Sequence, residues 1–224
     1  MSLIVQPHMT THPDTQNDLQ DLEAQFRSEL ELSPEAQDLL FREARTANTF
    51  TDEPVSEEQV RAIYDLAKWA PTSMNNQPLR IVLVRSPEAR GRLVETMADG
   101  NKAKTSTAPL VAILATDLAF HEEFPRTFPH FPGARDMFAG NDAMRAESAT
   151  LNGTLQVAYF ILAVRAAGLA AGPMTGFDAQ GVDDEFFADR KWRSLVVVNV
   201  GKPGENPWFD RLPRLDFDQV VETL

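Results

Sequence analysis

The 224-residue chain is 43% hydrophobic and 24% charged, which suits one substantial hydrophobic core and is short for two domains. Its formal net charge of -12 disfavours non-specific binding to nucleic acid or to an anionic membrane, because both require a basic surface. The chain has no cysteine, which excludes disulfides, thiolate nucleophiles and cysteine-ligated metals. Any anion must therefore be bound by a few arginines or lysines at defined places.

The N-terminal residues 1–32 are polar and acidic with scattered leucines, a composition typical of a mobile tail or a short helix. A helix exchanged with a partner subunit is the alternative. The segment lacks the basic stretch and long apolar run of a secretory signal, so we expect a cytoplasmic protein. The folded domain is then predicted over residues 33–224.

Two helices are predicted next along the chain. Residues 33–44 begin with a serine in the N-cap position followed by a proline, which indicates a helix from residue 34 to residue 44. Ser56 and Gln59 form a capping-box pattern in front of an apolar face with helical spacing. This second helix must end before Pro71.

Three apolar runs rich in β-branched residues predict strands at Ile81–Val84, Leu110–Ala115 and Leu195–Val200, each covered on both faces. The apolar run at residues 157–164 predicts a central buried helix or a dimer-core helix that ends near Gly168, and it is too short to cross a bilayer. Helices outnumber strands without regular alternation, which favours an α+β sandwich over a doubly wound fold, and no GxGxxG motif is present.

Metal and hydrolytic sites are not indicated. His121 and His130 share a loop with two glutamates, but no HExxH or other ligand spacing on a helix appears, so no metal is predicted. No GxSxG elbow indicates a serine nucleophile. Asn152 begins a glycosylation sequon, which we interpret as a chance match because no secretory signal is present. The many carboxylates are interpreted as a solvated acidic surface.

Five separated clusters carry groups that suit a flat polar heterocycle with a phosphate. Taken singly, each has an ordinary explanation as a polar helix end, a turn or a surface charge. Together they offer charged and neutral hydrogen-bond donors of the kind that such a ligand needs. The clusters are RTAN at 45–48, APTSMNNQP at 70–78, NKAK at 101–104, GPMTGF at 172–177 and RLPRL at 211–215.

The order and spacing of these clusters resemble the nitroreductase family of FMN-dependent NAD(P)H oxidoreductases, from about Leu40 to Leu224. Within the family, KWAPTS, PRTFPHFP, GPMTGFDAQGVDDEFF and RLPRLDF look like the malonic semialdehyde reductase branch, which is associated with uracil degradation. The resemblance implies an α+β sandwich with a central mixed sheet flanked by helices. It also implies a domain-swapped homodimer with two FMN sites, each built from both chains.

Contacts to the FMN phosphate and ribityl chain are implied by the first and last clusters. Arg45 and Arg214 would bind the phosphate, with Arg211 as a weaker second candidate, because a guanidinium fork matches phosphate oxygens. Thr46 and Asn48 would bind the phosphate or the ribityl hydroxyls. Many family members carry further basic residues in the first cluster, where this chain keeps Arg45 alone.

Contacts to the flavin ring are implied by the other clusters. Asn101 and Lys104 match the family pair that reads the pyrimidine edge, where a cation favours the negative charge of the reduced ring. A backbone N–H of Thr175 or Gly176 would be directed at N5 or O4 of the flavin. The remaining implied cofactor contacts are Pro71, Thr72, Ser73, Asn75, Gln77, Pro173 and Met174.

The resemblance implies hydride transfer from NADPH or NADH through FMN N5 to an acceptor in ping-pong order, with no side-chain nucleophile. The branch implies reduction of malonic semialdehyde (3-oxopropanoate) to 3-hydroxypropanoate. Nitroarenes, quinones or free flavin are the alternative acceptors. A non-catalytic flavin-binding protein is a third interpretation, but it requires loss of the phosphate-binding arginine or Lys104, and both are present.

The stretch from Phe120 to Phe138 is rich in phenylalanine and proline. One interpretation is a loop packed on the core, and the other is a semi-rigid wall over the flavin that sets the size of the substrate. In the second interpretation Phe124 and Phe128 would line the substrate pocket. Arg126 or Arg135 would then bind a substrate carboxylate.

Overall fold

The computed structural model describes residues 24–224, so most of the interpretation of residues 1–32 lies outside the described part of the chain. The chain divides between Ala44 and Arg45 into a small N-terminal unit and a larger unit. Helical residues in the small unit include 24–28 and the short helix α1, Pro34–Gln37.

Helix α1 begins at the predicted N-cap, where the Ser33 hydroxyl accepts the N–H of Ala36 at 3.3 Å. The chain then continues as a π-helical stretch, Asp38–Arg42, in which the N–H of Glu43 bonds to the carbonyl of Asp38 at 2.9 Å. The predicted start of this helix is therefore confirmed, and the wider turn ends the helix two residues before the predicted end.

A four-stranded sheet forms the centre of the larger unit in residues 45–224. Its strands are β1 (Leu79–Val84), β2 (Leu110–Asp117), β3 (Ala170–Met174) and β4 (Trp192–Gly201), in the spatial order β1-β2-β4-β3. The three predicted strands are confirmed. Strand β3 was not predicted, because its Gly-Pro pair is unfavourable in a strand interior, and Pro173 is accommodated because β3 is at an edge of the sheet.

The expected mixed sheet is wrong for the described residues, because β1–β2, β2–β4 and β3–β4 all pair antiparallel. Two helices connect β1 to β2 and one helix connects β3 to β4, and in both cases the chain enters the second strand in the opposite direction. The α+β class with helices flanking one sheet is confirmed.

The helices of the larger unit follow the capping and breaking signals of the sequence. The capping box is confirmed, since the Ser56 hydroxyl accepts the N–H of Gln59 at 3.2 Å and Gln59 Oε1 accepts the N–H of Ser56 at 2.9 Å. The helices are α2 (Glu57–Ala67), α3 (Pro87–Thr96), α4 (Asp99–Thr107), α5 (Phe124–Thr127), α6 (Ala134–Ala139), α7 (Asp142–Ala166), α8 (Ala179–Phe187) and α9 (Phe217–Val220).

Helices cover both faces of the sheet, which makes it the centre of a sandwich. On one face, α2 and α7 contribute Ile63 and Phe160 to a buried cluster. On the other, α3 and α8 contribute Leu93 and Val182 to a second cluster. Strand β2 is buried along residues 110–116, as expected for a strand covered on both sides.

Helix α7 contains the predicted apolar run and extends well beyond it. It ends at Ala166, near Gly168 as predicted, and the φ of +71° at Gly168 is the left-handed conformation that glycine adopts without strain. Within residues 24–224, no helix combines the length and hydrophobicity needed to cross a bilayer.

Candidate functional site

Three of the five clusters meet at the β3 edge of the sheet. The N–H of Ala47 donates to the carbonyl of Ala171 at 3.1 Å, and Lys104 Nζ donates to Asn48 Oδ1 at 3.3 Å. Asn101 Nδ2 donates to the carbonyl of Gly176 at 2.9 Å across 75 residues of sequence. Residues 45–48, 101–104 and 172–176 therefore form one site, which we call the β3-edge cluster.

Helix α4 presents both Asn101 and Lys104, one turn apart, to this cluster. Arg90 holds the C-terminal end of the helix, because its Nη1 donates to the carbonyls of Thr105 and Ala108 at 2.8 and 2.7 Å. Burial lowers the pKa of the Arg90 guanidinium. Asn199 Nδ2 donates to the carbonyl of Lys104 at 3.1 Å, so the backbone of the lysine is fixed from the sheet as well.

Two glycines permit the close approach of the main chains in this cluster. A Cβ atom at Gly172 would lie 2.7 Å from the carbonyl oxygen of Ala47, and one at Gly176 would lie 2.7 Å from Asn101 Nδ2. Both distances are far below van der Waals contact. Thr175 is exposed and, like Gly176, lies beyond the last paired residue of β3, so the N–H groups of both are outside the paired part of the strand.

The charge of the β3-edge cluster is positive and suits an anion. Arg45 and Lys104 are half-buried, and neither forms an ion pair with a carboxylate among the described residues. Their hydrogen bonds are to neutral groups, the carbonyl of Phe209 at 3.2 Å for Arg45 and the amide of Asn48 for Lys104. Asn199 is fully buried, and its Oδ1 has no hydrogen-bond partner in residues 24–224.

The second cluster lies elsewhere. Residues 72–77, which we call the β1-edge loop, precede β1, the strand at the opposite edge of the sheet from β3. Three interstrand spacings of about 4.8 Å place the two edges about 14 Å apart. No hydrogen bond in residues 24–224 connects this loop to the β3-edge cluster. One chain alone therefore does not bring all the predicted cofactor contacts together.

The β1-edge loop has an unusual backbone. Met74, Asn75 and Gln77 have φ values of 53°, 51° and 42°, in the left-handed region that residues other than glycine seldom adopt. Asn75 Nδ2 donates to the carbonyl of Thr127 at 2.8 Å, and Gln77 Nε2 donates to Asn75 Oδ1 at 2.8 Å. The neighbouring elements hold the loop in a conformation that costs free energy by itself.

The two C-terminal arginines lie in the exposed segment that follows β4. Arg214 Nη1 donates to the carbonyls of Leu212 and Pro213 at 2.9 and 3.2 Å, within its own segment. Arg45 belongs to the segment that the contacts of Ala47 and Asn48 join to the β3-edge cluster. The predicted roles of Arg211 and Arg214 stay predictions.

The phenylalanine-rich stretch packs on a core, as the first interpretation states, and the wall over the flavin stays a prediction. Phe124 is buried, and its ring lies edge-on to that of Phe120 at 5.8 Å, so it packs in a core. Phe124 also lines a cavity of about 230 Å³. Phenylalanines and prolines alternate around this cavity, namely Phe124, Pro125, Phe128, Pro129, Phe131 and Pro132.

The arginines predicted to bind a substrate carboxylate are paired with glutamates of their own segment. Arg126 donates to Glu123 Oε2 from Nε and Nη2 at 3.1 and 2.8 Å. Arg135 donates to both carboxylate oxygens of Glu122 at 2.7 and 3.1 Å. Neither arginine is placed in the β3-edge cluster by these contacts. In residues 24–224, no group of three or more histidines and carboxylates is arranged to hold a metal.

Comparison with known proteins shows the family of this chain. Residues 41–202 match the sequence model of the nitroreductase family. A Streptomyces griseus protein named "Putative NADH dehydrogenase/NAD(P)H nitroreductase" is 63% identical over 195 residues, which cover 87% of this chain and 99% of that protein. The chain belongs to the nitroreductase family.

Other members of the nitroreductase family extend the comparison. A Leptothrix cholodnii protein with the same name is 49% identical over 185 residues, 83% of this chain and 94% of that protein. An Exiguobacterium sibiricum structure, described as a putative nitroreductase in complex with FMN, has a TM-score of 0.74 at 18% identity and covers 84% of this chain and 96% of that chain. At that identity the structural likeness shows the fold alone.

Several residues that shape the site were missed in the sequence. Asn199 interrupts the apolar run of β4, and a polar residue in a buried strand is a signal that could have revealed it. Ser148, Asn152 and Gln156 recur every four residues on α7, a polar stripe on a helix assigned to the core. Arg90 gave no such signal, because its role depends on two carbonyls at the end of another helix.

Proposed function

We propose that this nitroreductase-family chain is an FMN-dependent NAD(P)H oxidoreductase. The observation that carries the proposal is the convergence of Asn48, Asn101 and Lys104 beside the main chain of Gly176, with Arg45 three residues before Asn48 in the same segment. This set is rich in donors and has no carboxylate ion pair in the described residues, as a phosphate and the electron-rich edge of a flavin require. The relative's name and the FMN-bound structure of a fold neighbour support the same cofactor pair.

FMN bound here would supply two-electron chemistry, accepting a hydride from the nicotinamide and passing one to the acceptor. Lys104 would place its positive charge at the pyrimidine edge, with Asn101 beside it. Arg45 would bind the phosphate, and Asn48 would orient Lys104 through the hydrogen bond between them. The N–H groups of Thr175 and Gly176, which lie beyond the paired part of β3, would be donors along the ring.

We also propose that the site is completed by a second copy of the chain. The β1-edge loop carries four of the predicted contacts, Thr72, Ser73, Asn75 and Gln77, but lies at the far edge of its own sheet. Helix α7 exposes Leu151, Leu155 and Tyr159 at four-residue spacing, an apolar stripe of the kind that a partner helix covers. A homodimer in which each loop faces the partner's β3-edge cluster accounts for both observations.

A mixture of two defective variants tests the shared site. Lys104→Ala damages the β3-edge cluster, and the double variant Ser73→Ala/Asn75→Ala damages the loop. In a heterodimer of the two, sites built from both chains give one doubly damaged and one intact site, so activity returns toward half of the wild-type value per dimer. Sites built within one chain leave both damaged, and the absence of any recovery would contradict the shared site.

Two acceptor classes are proposed. The apolar cavity beside Phe128 favours a nitroarene or a quinone, because flat rings pack well against aromatic side chains. Malonic semialdehyde is the second candidate. Arg126 and Arg135 are exposed, and exposed ion pairs contribute about 0–1 kcal/mol, so a substrate carboxylate can displace the glutamates at little cost.

The experiment compares these acceptors in parallel, with NADPH and with NADH. The purified protein should be yellow with bound FMN, and its kcat/KM is measured for a nitroarene, a quinone and 3-oxopropanoate. If 3-oxopropanoate is the substrate, Arg126→Ala or Arg135→Ala raises its KM far more than that of the nitroarene. A protein that takes up no FMN would overturn the flavin assignment itself.

A further inference from the structure

Helix α7 carries a ladder of polar side chains that faces the β1-edge loop. Asn152 Oδ1 accepts the N–H of Ser73 at 2.7 Å, and Gln156 Oε1 accepts the N–H of Leu79 at 2.9 Å. Ser148 Oγ accepts from Asn76 Nδ2 at 3.1 Å. These three positions on successive turns of α7 therefore fix the beginning, the middle and the end of residues 73–79.

Asn152 is the central member of this ladder, and both the oxygen and the nitrogen of its side-chain amide form hydrogen bonds. Besides the bond to Ser73, its Nδ2 donates to the carbonyl of Ser148 at 2.8 Å. The side chain is 2% exposed, which also means that the sequon it begins cannot carry an oligosaccharide in the folded chain. Asparagine is a poor helix former, so its presence in the middle of a 25-residue helix calls for a reason outside the helix.

The next residue, Gly153, brings Asn152 within reach of the loop. A Cβ atom at Gly153 would lie 3.0 Å from both Leu195 Cδ1 and Thr116 Oγ1, so the glycine allows α7 to approach the sheet closely. Thr116 Oγ1 donates to the carbonyl of Ala149 at 2.7 Å and anchors the same turn to β2. A rigid sheet thereby sets the position of the asparagine.

We propose that Asn152 is a positioning residue that holds the β1-edge loop in the left-handed conformation needed to present Ser73 and Asn75 to a flavin. The inference rests on the proposed function, because the loop has a ligand only if the chain binds FMN. A backbone with three positive φ angles does not keep its shape unaided. The bond from Ser73 N–H enters the loop just before the first of them and ends on the buried side chain of Asn152.

The test compares Asn152→Ala with Val164→Ala, a cavity-forming substitution at a fully buried core position of the same helix, eight residues beyond Gln156. Both variants should lower Tm. In full-length protein freed of FMN, hydrogen exchange at the amides of residues 73–79 should become faster in Asn152→Ala only. Its Kd for FMN should rise about tenfold or more, whereas that of Val164→Ala should change less than about twofold.

A rescue variant separates the hydrogen bond from the volume of the side chain. Asn152→Asp keeps an acceptor for Ser73 N–H, so exchange protection and FMN affinity should recover toward the wild-type values, which Asn152→Leu should not achieve. Unchanged exchange in Asn152→Ala, or faster exchange with an unchanged Kd, would overturn the inference. If exchange becomes faster but the Kd is unchanged, the FMN affinity of the wild-type protein still supports the proposed function. A wild-type protein that does not bind FMN would overturn both proposals.

Discussion

The β3-edge cluster and the β1-edge loop are assembled in opposite ways. The first is built from distant segments on regular elements, with Lys104 and Asn101 on a helix and Gly176 directly after a strand. The second is a continuous stretch of sequence with irregular backbone, held by side chains of one helix. A continuous motif such as the loop can be recognised in the sequence, although its geometry depends on its neighbours. The segments of the β3-edge cluster carry no such local signal, because only the fold brings them together.

The largest expected effect is at Lys104. Lys104→Ala removes the lysine that bonds to Asn48, and we expect the rate of flavin reduction by NAD(P)H to fall about 100-fold, with a more negative flavin potential. Lys102→Ala is the matched control, because Lys102 is on the same helix but pairs with Asp99 at 3.0 Å. Stopped-flow absorbance at the flavin band measures the rate of flavin reduction in both variants. Equal rates in the two variants would remove Lys104 from the site.

A glycine substitution should break the β3-edge cluster while leaving the loop intact. Gly172→Ala places a Cβ atom 2.7 Å from the backbone carbonyl of Ala47, which cannot rotate away, so we expect a loss of about 1–3 kcal/mol in unfolding free energy and weaker FMN binding. Gly91→Ala is the control, since nothing lies within 4 Å of its added methyl group and helix propensity favours alanine. Urea unfolding distinguishes the two. If Gly172→Ala leaves the unfolding free energy unchanged, the segments of Ala47 and Gly172 can move apart without a loss of stability.

The loop is probed by two replacements at Asn75 that separate strain from side-chain function. Asn75→Gly tolerates the φ of 51° and should keep the stability of the protein, whereas Asn75→Ala should lose about 1 kcal/mol. Both lose the bond to Thr127 and should weaken FMN binding about fivefold. Flavin fluorescence titration and thermal unfolding measure the two effects. Full FMN affinity in the glycine variant would show that the Asn75 side chain is dispensable.

The smallest effect concerns acid stability next to the loop. His121 is buried beside the segment that binds Asn75, and burial lowers its pKa below the ordinary value of about 6.5. The unfolded chain therefore takes up the proton first, and stability falls as the pH drops below about 6.5 toward the folded pKa, while it is unaffected above.

Replacing the histidine removes this contribution. His121→Gln should reduce the fall in Tm between pH 7 and pH 5 by about 2–4 °C relative to wild type. His130→Gln is the control at a more exposed position in the same segment. Identical pH profiles for wild type and His121→Gln would mean that the fold tolerates the protonated histidine.

Local patterns of the sequence predicted much of the fold. The Ser56–Gln59 capping box, the stop before Pro71 and three apolar strands depend on neighbouring residues, and all are as predicted. Strand β3 was missed because a Gly-Pro pair is accommodated only where the sheet has an edge. The mixed sheet was wrong because strand direction depends on how the connecting helices pack, which no single segment encodes.

Local sequence patterns predicted most of the helices and three of the four strands, the family and the residue types available for an anion, because propensity, capping and motif spacing are properties of short stretches. Only the tertiary structure decided that Asn48, Lys104 and Gly176 meet while the β1-edge loop lies at the far edge of the sheet. It also showed that Asn152 is buried and accepts a hydrogen bond from that loop. These contacts join residues that are tens of positions apart in the sequence, so they form only when the chain packs around β2.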